Sequence, residues 1–318
     1  METIFYFENG LTADWRIGGR SAFDWNELEE TLGVRLTARD RQLTISGADD
    51  ACARAEKFFT ELVNLHAMRK RELDRQDIEQ LVKAYKRNEE GDLSKLFAGR
   101  IKVGKGKREV LPRSKNQLNY LQALREKDVI FGVGPAGTGK TYLAMAVAVS
   151  ELLAGNVSRI VLTRPAREAG ENLGFLPGSL EEKIMPYLRP LYDALYDMLD
   201  FNEASSLIER NVIEVAPLAF MRGRTLNNAF IILDEAQNTT EDQMLMFLTR
   251  LGFNSRCVIT GDPSQSDLNS NERSGLSHAV NALRQLDEIG FVFFNTADVV
   301  RHSLLEKIIT AYNSAREE

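Results

Sequence analysis

The stretch "DVIFGVGPAGTGKTYLAMAVAVSELLAG", Asp128 to Gly155, decides the fold class of most of this chain. It starts as a short apolar run, continues through a glycine-rich turn and ends in a helical pattern. The order of strand, glycine-rich loop and helix is the context that the pattern G-x-x-x-x-G-K-[ST] requires. The stretch therefore predicts a phosphate-binding loop at the edge of an α/β domain.

This loop is expected to hold the phosphates of a nucleotide. Its glycines let backbone N–H groups wrap around an anion, and the helix N-terminus adds partial positive charge. Lys140 is predicted to reach the β- and γ-phosphates, and Thr141 to bind Mg²⁺. The alternative is a glycine-rich turn with an exposed lysine. The predicted nucleotide-binding residues are Gly134, Pro135, Ala136, Gly137, Thr138, Gly139, Lys140 and Thr141.

A second apolar run, "AFIILDEAQ" (229–237), ends in two adjacent carboxylates. The carboxyl ends of strands form the ligand-facing edge of an open α/β sheet. We expect Asp234 to support Mg²⁺ and Glu235 to orient and polarise the attacking water. The alternative is that both carboxylates mark a helix N-terminus. Thr239 or Thr240 is a better cap for the helix that follows.

Two glutamines are further candidates. In "VITGDPSQSD" (258–267) an apolar run leads to Asp262, and a turn then brings Gln265 forward to sense the γ-phosphate or the attacking water. Gln117, upstream of the loop, carries an amide that can read adenine with a paired donor and acceptor. The alternative for both is a glutamine on the surface.

Composition bounds the protein class. With 43% hydrophobic and 27% charged residues in 318 positions, the chain is expected to be globular, with room for two domains. The net charge of −6 gives no global sign of nucleic-acid binding.

Two distant cysteines make no disulfide framework, and the scattered histidines indicate no metal site built from protein alone. The chain shows no export signal and no membrane-spanning run, so we expect a cytoplasmic protein.

The pattern along the chain predicts three blocks. Residues 1–68 read as helix, hairpin and helix, which makes a small α+β domain. Residues 69–115 read as a helical connector followed by a basic hairpin. Residues 116–318 alternate continuous apolar runs with helices, which predicts a parallel sheet covered on both faces.

The basic segment "GRIKVGKGKREVLPRSK" (99–115) predicts a glycine-containing hairpin turn. A solvated linker and a finger that contacts phosphates are both open readings. Its cationic residues are Arg100, Lys102, Lys105, Lys107, Arg108, Arg113 and Lys115.

The third block resembles the PhoH family, which is related to the first RecA-like domain of superfamily 1 helicases. The resemblance spans roughly residues 110–314. The motifs that carry it are "NQ" before the first strand, "GPAGTGKT", "VLTRPAREAGENLGFLPGSLEEKIMPYLRPLYD", "MRGRTLNNAFIILDEAQN", "TGDPSQSDL", "SGLSHAV" and "DVVRHSLL".

The resemblance implies a RecA-like P-loop NTPase that binds ATP, depends on Mg²⁺ and acts in RNA metabolism. It assigns the family's residue roles to Gln117, Lys140, Thr141, Asp234, Glu235, Gln265 and Arg301. Arg301 would be directed at a nucleotide. The alternative is a polar residue at a helix start.

The first block resembles a KH-like RNA-binding module over "LEETLGVRLTARDRQLTISG" (28–47) and the helix that follows. Such modules clamp the nucleic-acid backbone on a GxxG loop. Here the expected place reads "WRIGGRSAFDW", with adjacent Gly18 and Gly19 and no GxxG spacing. RNA clamping and a structural or oligomer-contact role both stay open for this block.

A helicase hydrolyses ATP between two RecA-like domains, and this chain has room for one. A head-to-tail contact repeated by rotation closes a ring, so we expect a homo-oligomeric ring, by analogy a hexamer, in which Arg301 serves its own or a neighbouring site. Arg164 and Arg167 are candidates for contacts with single-stranded nucleic acid, and the alternative is a loop packed on the neighbouring subunit. Arg222 and Arg224 are candidates for phosphate or subunit contacts.

Three functions remain open at this point. The first is an ATPase acting on single-stranded RNA as a helicase or remodeller, paired by family context with a YbeY-type endoribonuclease. The second is an RNA-binding or scaffold protein that uses ATP only to set its assembly. The third is a kinase, which Glu235 beside Asp234 disfavours because activation of water suits hydrolysis.

Overall fold

The fold is taken from a computed structural model, which describes residues 1–7, 16–17, 20–21, 23–68, 75–86, 99–107, 109–165, 180–269 and 272–300. The chain divides into two compact units, Met1–Ala98 and Gly99–Glu318, and each is described by itself. Within the described ranges, no helix combines the length and the apolar character needed to cross a membrane. Cys52 and Cys257 are both buried and free.

The first unit is a small antiparallel α+β fold, as predicted. Its three-stranded sheet has the order β1-β5-β4, and β2 pairs with β3 as a separate ribbon. The elements are β1 (Glu2–Tyr6), β2 (Arg16–Ile17), β3 (Arg20–Ser21), α1 (Trp25–Leu32), β4 (Val34–Arg39), β5 (Gln42–Gly47), α2 (Asp49–Met68) and α3 (Arg75–Lys86).

Local signals explain these elements. The side chain of Asp24 accepts a hydrogen bond from the Glu27 N–H at the start of α1, and Gly33 ends that helix with φ +70°. β4 and β5 form the predicted hairpin, with Asp40 at φ +52° in the turn. Strand β1 was not predicted, because its alternation of apolar and polar residues is short. It adds the third strand beside β5.

Helix α3 packs on α1 and α2 within the first unit. Leu81 and Tyr85 on α3 are fully buried there. The basic hairpin of the predicted connector belongs instead to the second unit. The three predicted blocks, with boundaries at 68 and 115, stay predictions.

The second unit is built on a six-stranded parallel sheet with the order β11-β6-β10-β9-β7-β8. Its strands and helices are α4 (Lys115–Glu126), β6 (Val129–Val133), α5 (Lys140–Leu153), β7 (Arg159–Arg164), α6 (Leu180–Met198), α7 (Phe201–Glu209), β8 (Ile213–Pro217), β9 (Ala229–Leu233), α8 (Glu241–Leu248), β10 (Arg256–Gly261), α9 (Gly275–Leu283) and β11 (Ile289–Phe293).

The central strands are apolar because both faces of the sheet are covered. Every residue of β9 is buried, as are five of the six residues of β10. One hydrophobic cluster joins the sheet to helices α4 to α7, and a second joins it to α8 and α9. This confirms the predicted parallel α/β sheet.

The basic segment folds as the predicted hairpin. Ile101 and Val110 exchange two backbone hydrogen bonds of 2.8 and 3.0 Å, and Gly106 has φ +77° in the turn. Lys107 donates through Nζ to the Tyr196 carbonyl on α6 at 2.6 Å. Lys105 is exposed. The turn of the hairpin is therefore held against the end of α6, also through the Gly104 N–H, which donates to the Met198 carbonyl at 2.9 Å, while Lys105 in the same turn presents its cation to solvent.

Candidate functional site: a phosphate-binding cleft

The phosphate-binding loop joins β6 to α5 at the carboxyl edge of the sheet. Gly134, Gly137 and Gly139 all have positive φ, at +145°, +79° and +78°. A Cβ on Gly134 would lie 2.5 Å from the Phe294 carbonyl oxygen, so only glycine fits. Gly139 is the N-cap of α5, and the loop therefore ends where helical N–H groups are unpaired.

Lys140 folds back over the loop. Its Nζ donates to the carbonyls of Gly134 and Pro135 at 2.6 and 2.7 Å, and to Thr138 Oγ1 at 3.2 Å. Burial lowers the pKa of Lys140, while the neighbouring carboxylates, Asp262 foremost, act to raise it. A phosphate oxygen entering the loop would replace one of these weak neutral acceptors with a charged one.

Thr141, Asp234 and Thr260 form a compact oxygen cluster. The Thr141 hydroxyl donates to Asp234 Oδ1 at 2.6 Å, and the Thr260 hydroxyl donates to the same oxygen at 2.9 Å. Burial raises the pKa of Asp234, and the neighbouring Glu235 adds to that rise. Arg164 and the two hydroxyls act in the opposite direction.

The donor chemistry of this cluster fits Mg²⁺. Carboxylate and hydroxyl oxygens are its preferred protein ligands, and it is usually held by one or two carboxylates together with phosphates and water. In the described ranges no group of three or more His, Cys, Asp or Glu side chains could hold a metal ion. Thr141 and Asp234 are the residues that would hold Mg²⁺ here.

Glu235 sits in a strained backbone position at the end of β9. Its φ of +53° lies in the left-handed region, which glutamate rarely adopts. Both carboxylate oxygens have partners: Oε1 accepts from Arg164 at 2.6 Å, and Oε2 accepts from the Gln237 amide. Glu235 lines the cleft beside Lys140.

Asp262 links the end of β10 to the loop. Its Oδ2 accepts from the Ala136 N–H at 3.2 Å and from Gln265 Nε2 at 2.9 Å. Burial acts to raise the pKa of Asp262. The hydrogen bonds from Ser264 and Ala136, with the Lys140 charge, outweigh it and hold the pKa below its ordinary value. The exposed Gln265 is thereby held at the rim of the cleft.

Gln117 lies behind the loop and is 2% exposed. Its Oε1 accepts from the Arg113 N–H at 2.5 Å, and its Nε2 donates to the Thr138 carbonyl at 2.9 Å. One N–H and one lone pair of the amide are left for other partners. Gln117 thus supports the phosphate loop directly, and its reading of adenine stays a prediction.

Lys140, Thr141, Asp234, Glu235, Asp262 and Gln265 line one cleft of about 340 Å³. The phosphate loop and the carboxylates form one wall, and Tyr142 with three residues of α6 forms a mainly apolar wall. The described lining is Ala136, Gly137, Gly139, Lys140, Thr141, Tyr142, Arg164, Pro190, Leu191, Ala194, Asp234, Glu235, Gly261, Asp262 and Gln265.

The candidate arginines lie in different environments. Arg164 lines the cleft, and Arg224 forms a two-pronged ion pair with Glu214 at 2.6 and 2.7 Å. Arg222 is exposed. Arg301 and Arg167 lie outside the described residues. The chain leading to Arg301 touches the phosphate loop, because Val300 donates its N–H to the Gly137 carbonyl at 2.9 Å.

Gln237 and Thr260 are site residues that the sequence reasoning missed. Gln237 is 1% exposed; its Nε2 donates to Glu235, and its Oε1 accepts from the Asp262 N–H at 3.0 Å. Thr260 follows the apolar residues Cys257, Val258 and Ile259 in β10, and its hydroxyl donates to Asp234. Two signals in the sequence were available. In "VITGD" a polar threonine ends an apolar run, and in "DEAQ" a glutamine follows the two carboxylates.

Comparison with known proteins gives close relatives. The family model described as PhoH-like protein matches residues 109–313. A PhoH-like protein of Bacillus subtilis (strain 168) is 47% identical over 288 residues, covering 90% of this chain and 89% of the relative. A PhoH-like protein of Mycobacterium tuberculosis (strain ATCC 25618 / H37Rv) is 50% identical over 288 residues, covering 90% and 80%. Protein PhoH of Escherichia coli (strain K12) is 45% identical over 206 residues, covering 64% and 58%.

The Gln237 amide should be a structural part of the site. We expect Gln237→Ala to lower the free energy of unfolding by about 1–3 kcal/mol, because it leaves the buried Asp262 N–H without its acceptor. Urea unfolding followed by circular dichroism measures this. Gln122→Ala, at an exposed position on α4, is the matched control and should change stability by less than about 0.5 kcal/mol. Equal stability of the two variants would contradict the assignment.

Proposed function

Because this chain belongs to the PhoH-like protein family and has the fold and phosphate loop of a P-loop ATPase, we propose that it hydrolyses ATP with Mg²⁺ in RNA metabolism, as a helicase or remodeller. The observation that carries the proposal is one cleft in which Lys140, the Thr141–Asp234 pair and Glu235 face each other. Cation, metal-holding oxygens and a candidate base are the parts that phosphoryl transfer to water requires.

Each residue has a defined task in this reaction. The loop N–H groups and Lys140 hold the phosphates, and Thr141 with Asp234 would hold Mg²⁺. The ion, when bound, neutralises charge on the β- and γ-phosphates. Glu235 accepts the proton of the attacking water, and Gln265 orients the γ-phosphate or that water from the rim. Glu235 must first exchange at least one of its present partners, Arg164 or Gln237.

Substitution of Glu235 should distinguish the hydrolysis of ATP from its binding. We expect Glu235→Gln to keep ATP affinity and lower kcat by about 10²–10⁴-fold, because the amide cannot take a proton. Lys140→Ala should lose productive binding as well as turnover. Phosphate release and a fluorescent ATP analogue measure the two effects. Glu209→Gln, exposed on α7, is the matched control. Loss of ATP affinity in Glu235→Gln would mean that the water activator is misassigned.

Support for RNA comes from the basic hairpin together with the family resemblance. Lys102 and Lys105 are exposed on the hairpin, whose turn is held on α6 through Lys107. A rigid finger with free ammonium groups can contact phosphates of single-stranded RNA without reading its sequence. Lys107 is better left intact in a test, since its ammonium group already serves the fold.

The hairpin should contribute to the salt dependence of RNA binding. We expect Lys102→Gln with Lys105→Gln to weaken binding of single-stranded RNA and to reduce the slope of log K against log salt by about 0.7 for each lost contact. Fluorescence anisotropy at several salt concentrations measures this. Arg125→Gln with Arg210→Gln removes two exposed cations elsewhere on the same unit and should leave the slope unchanged. Identical slopes for both double variants would make the hairpin a structural element only.

The second candidate is a scaffold that binds RNA and a YbeY-type endoribonuclease and uses ATP to set its assembly. The packing of the hairpin turn on α6 favours it equally, since a fixed finger does not require a motor. Phosphate release with and without single-stranded RNA separates the two. If the protein is a remodeller, RNA should raise its ATP turnover. If it is a scaffold, ATP should alter the size of the oligomer, and RNA should leave turnover unchanged.

We further propose a homo-oligomeric ring, by analogy a hexamer, whose nucleotide sites lie between subunits. A single RecA-like unit lacks the second half that completes a helicase site, and a repeated head-to-tail contact supplies it. The closeness of Val300 to Gly137 supports a nucleotide-directed role for the adjoining Arg301.

Mixing inactive variants tests whose nucleotide Arg301 serves. If Arg301 acts across an interface, subunits of Arg301→Ala and Lys140→Ala should regain turnover when mixed, because some interfaces then combine an intact loop with an intact arginine. Phosphate release at several mixing ratios measures this. Each variant mixed with itself is the control. Without regained turnover in assembled rings, Arg301 acts within its own subunit or away from the nucleotide.

A further inference from the structure

Arg164 stands at the point where the two carboxylates of the cleft meet. It ends strand β7, which lies next to β9 in the sheet. Its NH2 donates to Glu235 Oε1 at 2.6 Å, its Nε lies 3.5 Å from Asp234 Oδ2, and its NH1 donates to the Tyr187 carbonyl at 2.7 Å. One guanidinium therefore joins β7, α6 and both acids at the end of β9.

The low exposure of this arginine makes its charge effective. The side chain of Arg164 is 18% exposed and that of Asp234 is 10% exposed. Charges that are partly withdrawn from water interact several times more strongly than exposed ones, and they are screened less by salt. The guanidinium accordingly acts to lower the pKa of Asp234 against the larger effect of burial. The same placement turns Arg164 toward the nucleotide cleft.

A divalent ion and this guanidinium compete for the same negative charge. Thr141 contacts Oδ1 of Asp234, and Arg164 approaches Oδ2 of the same carboxylate. An ion held by Thr141 and Asp234 would share that carboxylate with the guanidinium, and two positive charges beside one carboxylate repel each other. Phosphates of a nucleotide would offset that repulsion, because they add several negative charges to the cleft.

Glu235 is restrained by the same arginine. With Arg164 on one oxygen and Gln237 on the other, both oxygens of the carboxylate are engaged by the protein itself. Release of the arginine would free both the charge on Asp234 and one oxygen of Glu235 together.

We propose that Arg164 is a positioning residue whose guanidinium takes the place of the divalent cation beside Asp234 and Glu235 until a nucleotide brings that cation. Its single positive charge offsets part of the charge of the paired carboxylates, and it holds Glu235 at rest, so that metal alone binds weakly and metal with nucleotide binds well. This rests on the proposed nucleotide and metal site, and it adds an order of events to it: nucleotide entry, exchange of Arg164, then release of Glu235.

The experiment measures binding of Mn²⁺ alone to the nucleotide-free full chain by electron paramagnetic resonance. Arg164→Gln should bind Mn²⁺ roughly tenfold more tightly than the unaltered chain, as expected for a coupling of ordinary size. Arg164→Lys retains the charge and should restore weak binding, a rescue that a purely packing role would not show. Arg159→Gln removes a cation from the opposite end of β7 and is the matched control.

Equal Mn²⁺ affinity in Arg164→Gln and the unaltered chain overturns the proposal, and so does equally tight binding in Arg164→Lys. If Arg164→Gln does not fold, Arg164→Met keeps the apolar stem and is measured in its place. Because no turnover is involved, the two proposals can fail separately. If the unaltered chain releases no phosphate from ATP, the proposed ATPase activity is wrong. Tight Mn²⁺ binding by Arg164→Gln would still support the role proposed for Arg164.

Discussion

The contact between the Thr141 hydroxyl and Asp234 Oδ1 is the interaction on which the rest of the site depends. It joins the first turn of α5 to the end of β9, and Thr260 brings the end of β10 to the same oxygen. Parallel pairing of β6, β10 and β9 is what brings these ends to one edge. A slip of register by one residue would turn each of these side chains to the other face. The buried, apolar strands thus fix the positions of polar groups that contribute little to the core themselves.

Much of this arrangement follows from the sequence. The loop "GPAGTGKT" and the apolar runs ending in Asp234 and Asp262 predicted both the parallel sheet and the edge at which acids meet a lysine. These signals are local, because a strand end and the residue after it are adjacent in the chain. The capped helix and hairpin of the first unit follow for the same reason, since Asp24, Gly33 and Asp40 act within a few residues of themselves.

Contacts between distant segments could not be predicted in this way. Gln117 and Gln237 are almost fully buried and bond the backbone of other segments. A glutamine in sequence is usually a surface residue, and only the fold reveals which amide has a buried partner. Arg164 is the sharper case. Its position at the end of β7 suggested contact with nucleic acid, whereas the two residues that follow the neighbouring strand β9 present their carboxylates to it.

The position of β6 in the sheet has a consequence for the synthesis of the protein. The strand that leads into the phosphate loop lies between β10 and β11, so Val129 pairs with Cys257 on one side and Ile289 on the other. Neither partner has left the ribosome when β6 emerges, and both edges of an apolar strand stay open while more than a hundred residues are translated. Such edges pair readily with other chains, and contacts of long sequence separation form slowly. The nascent chain therefore carries the strand before its phosphate loop with unpaired edges until β10 and β11 arrive, which exposes that strand to aggregation during synthesis.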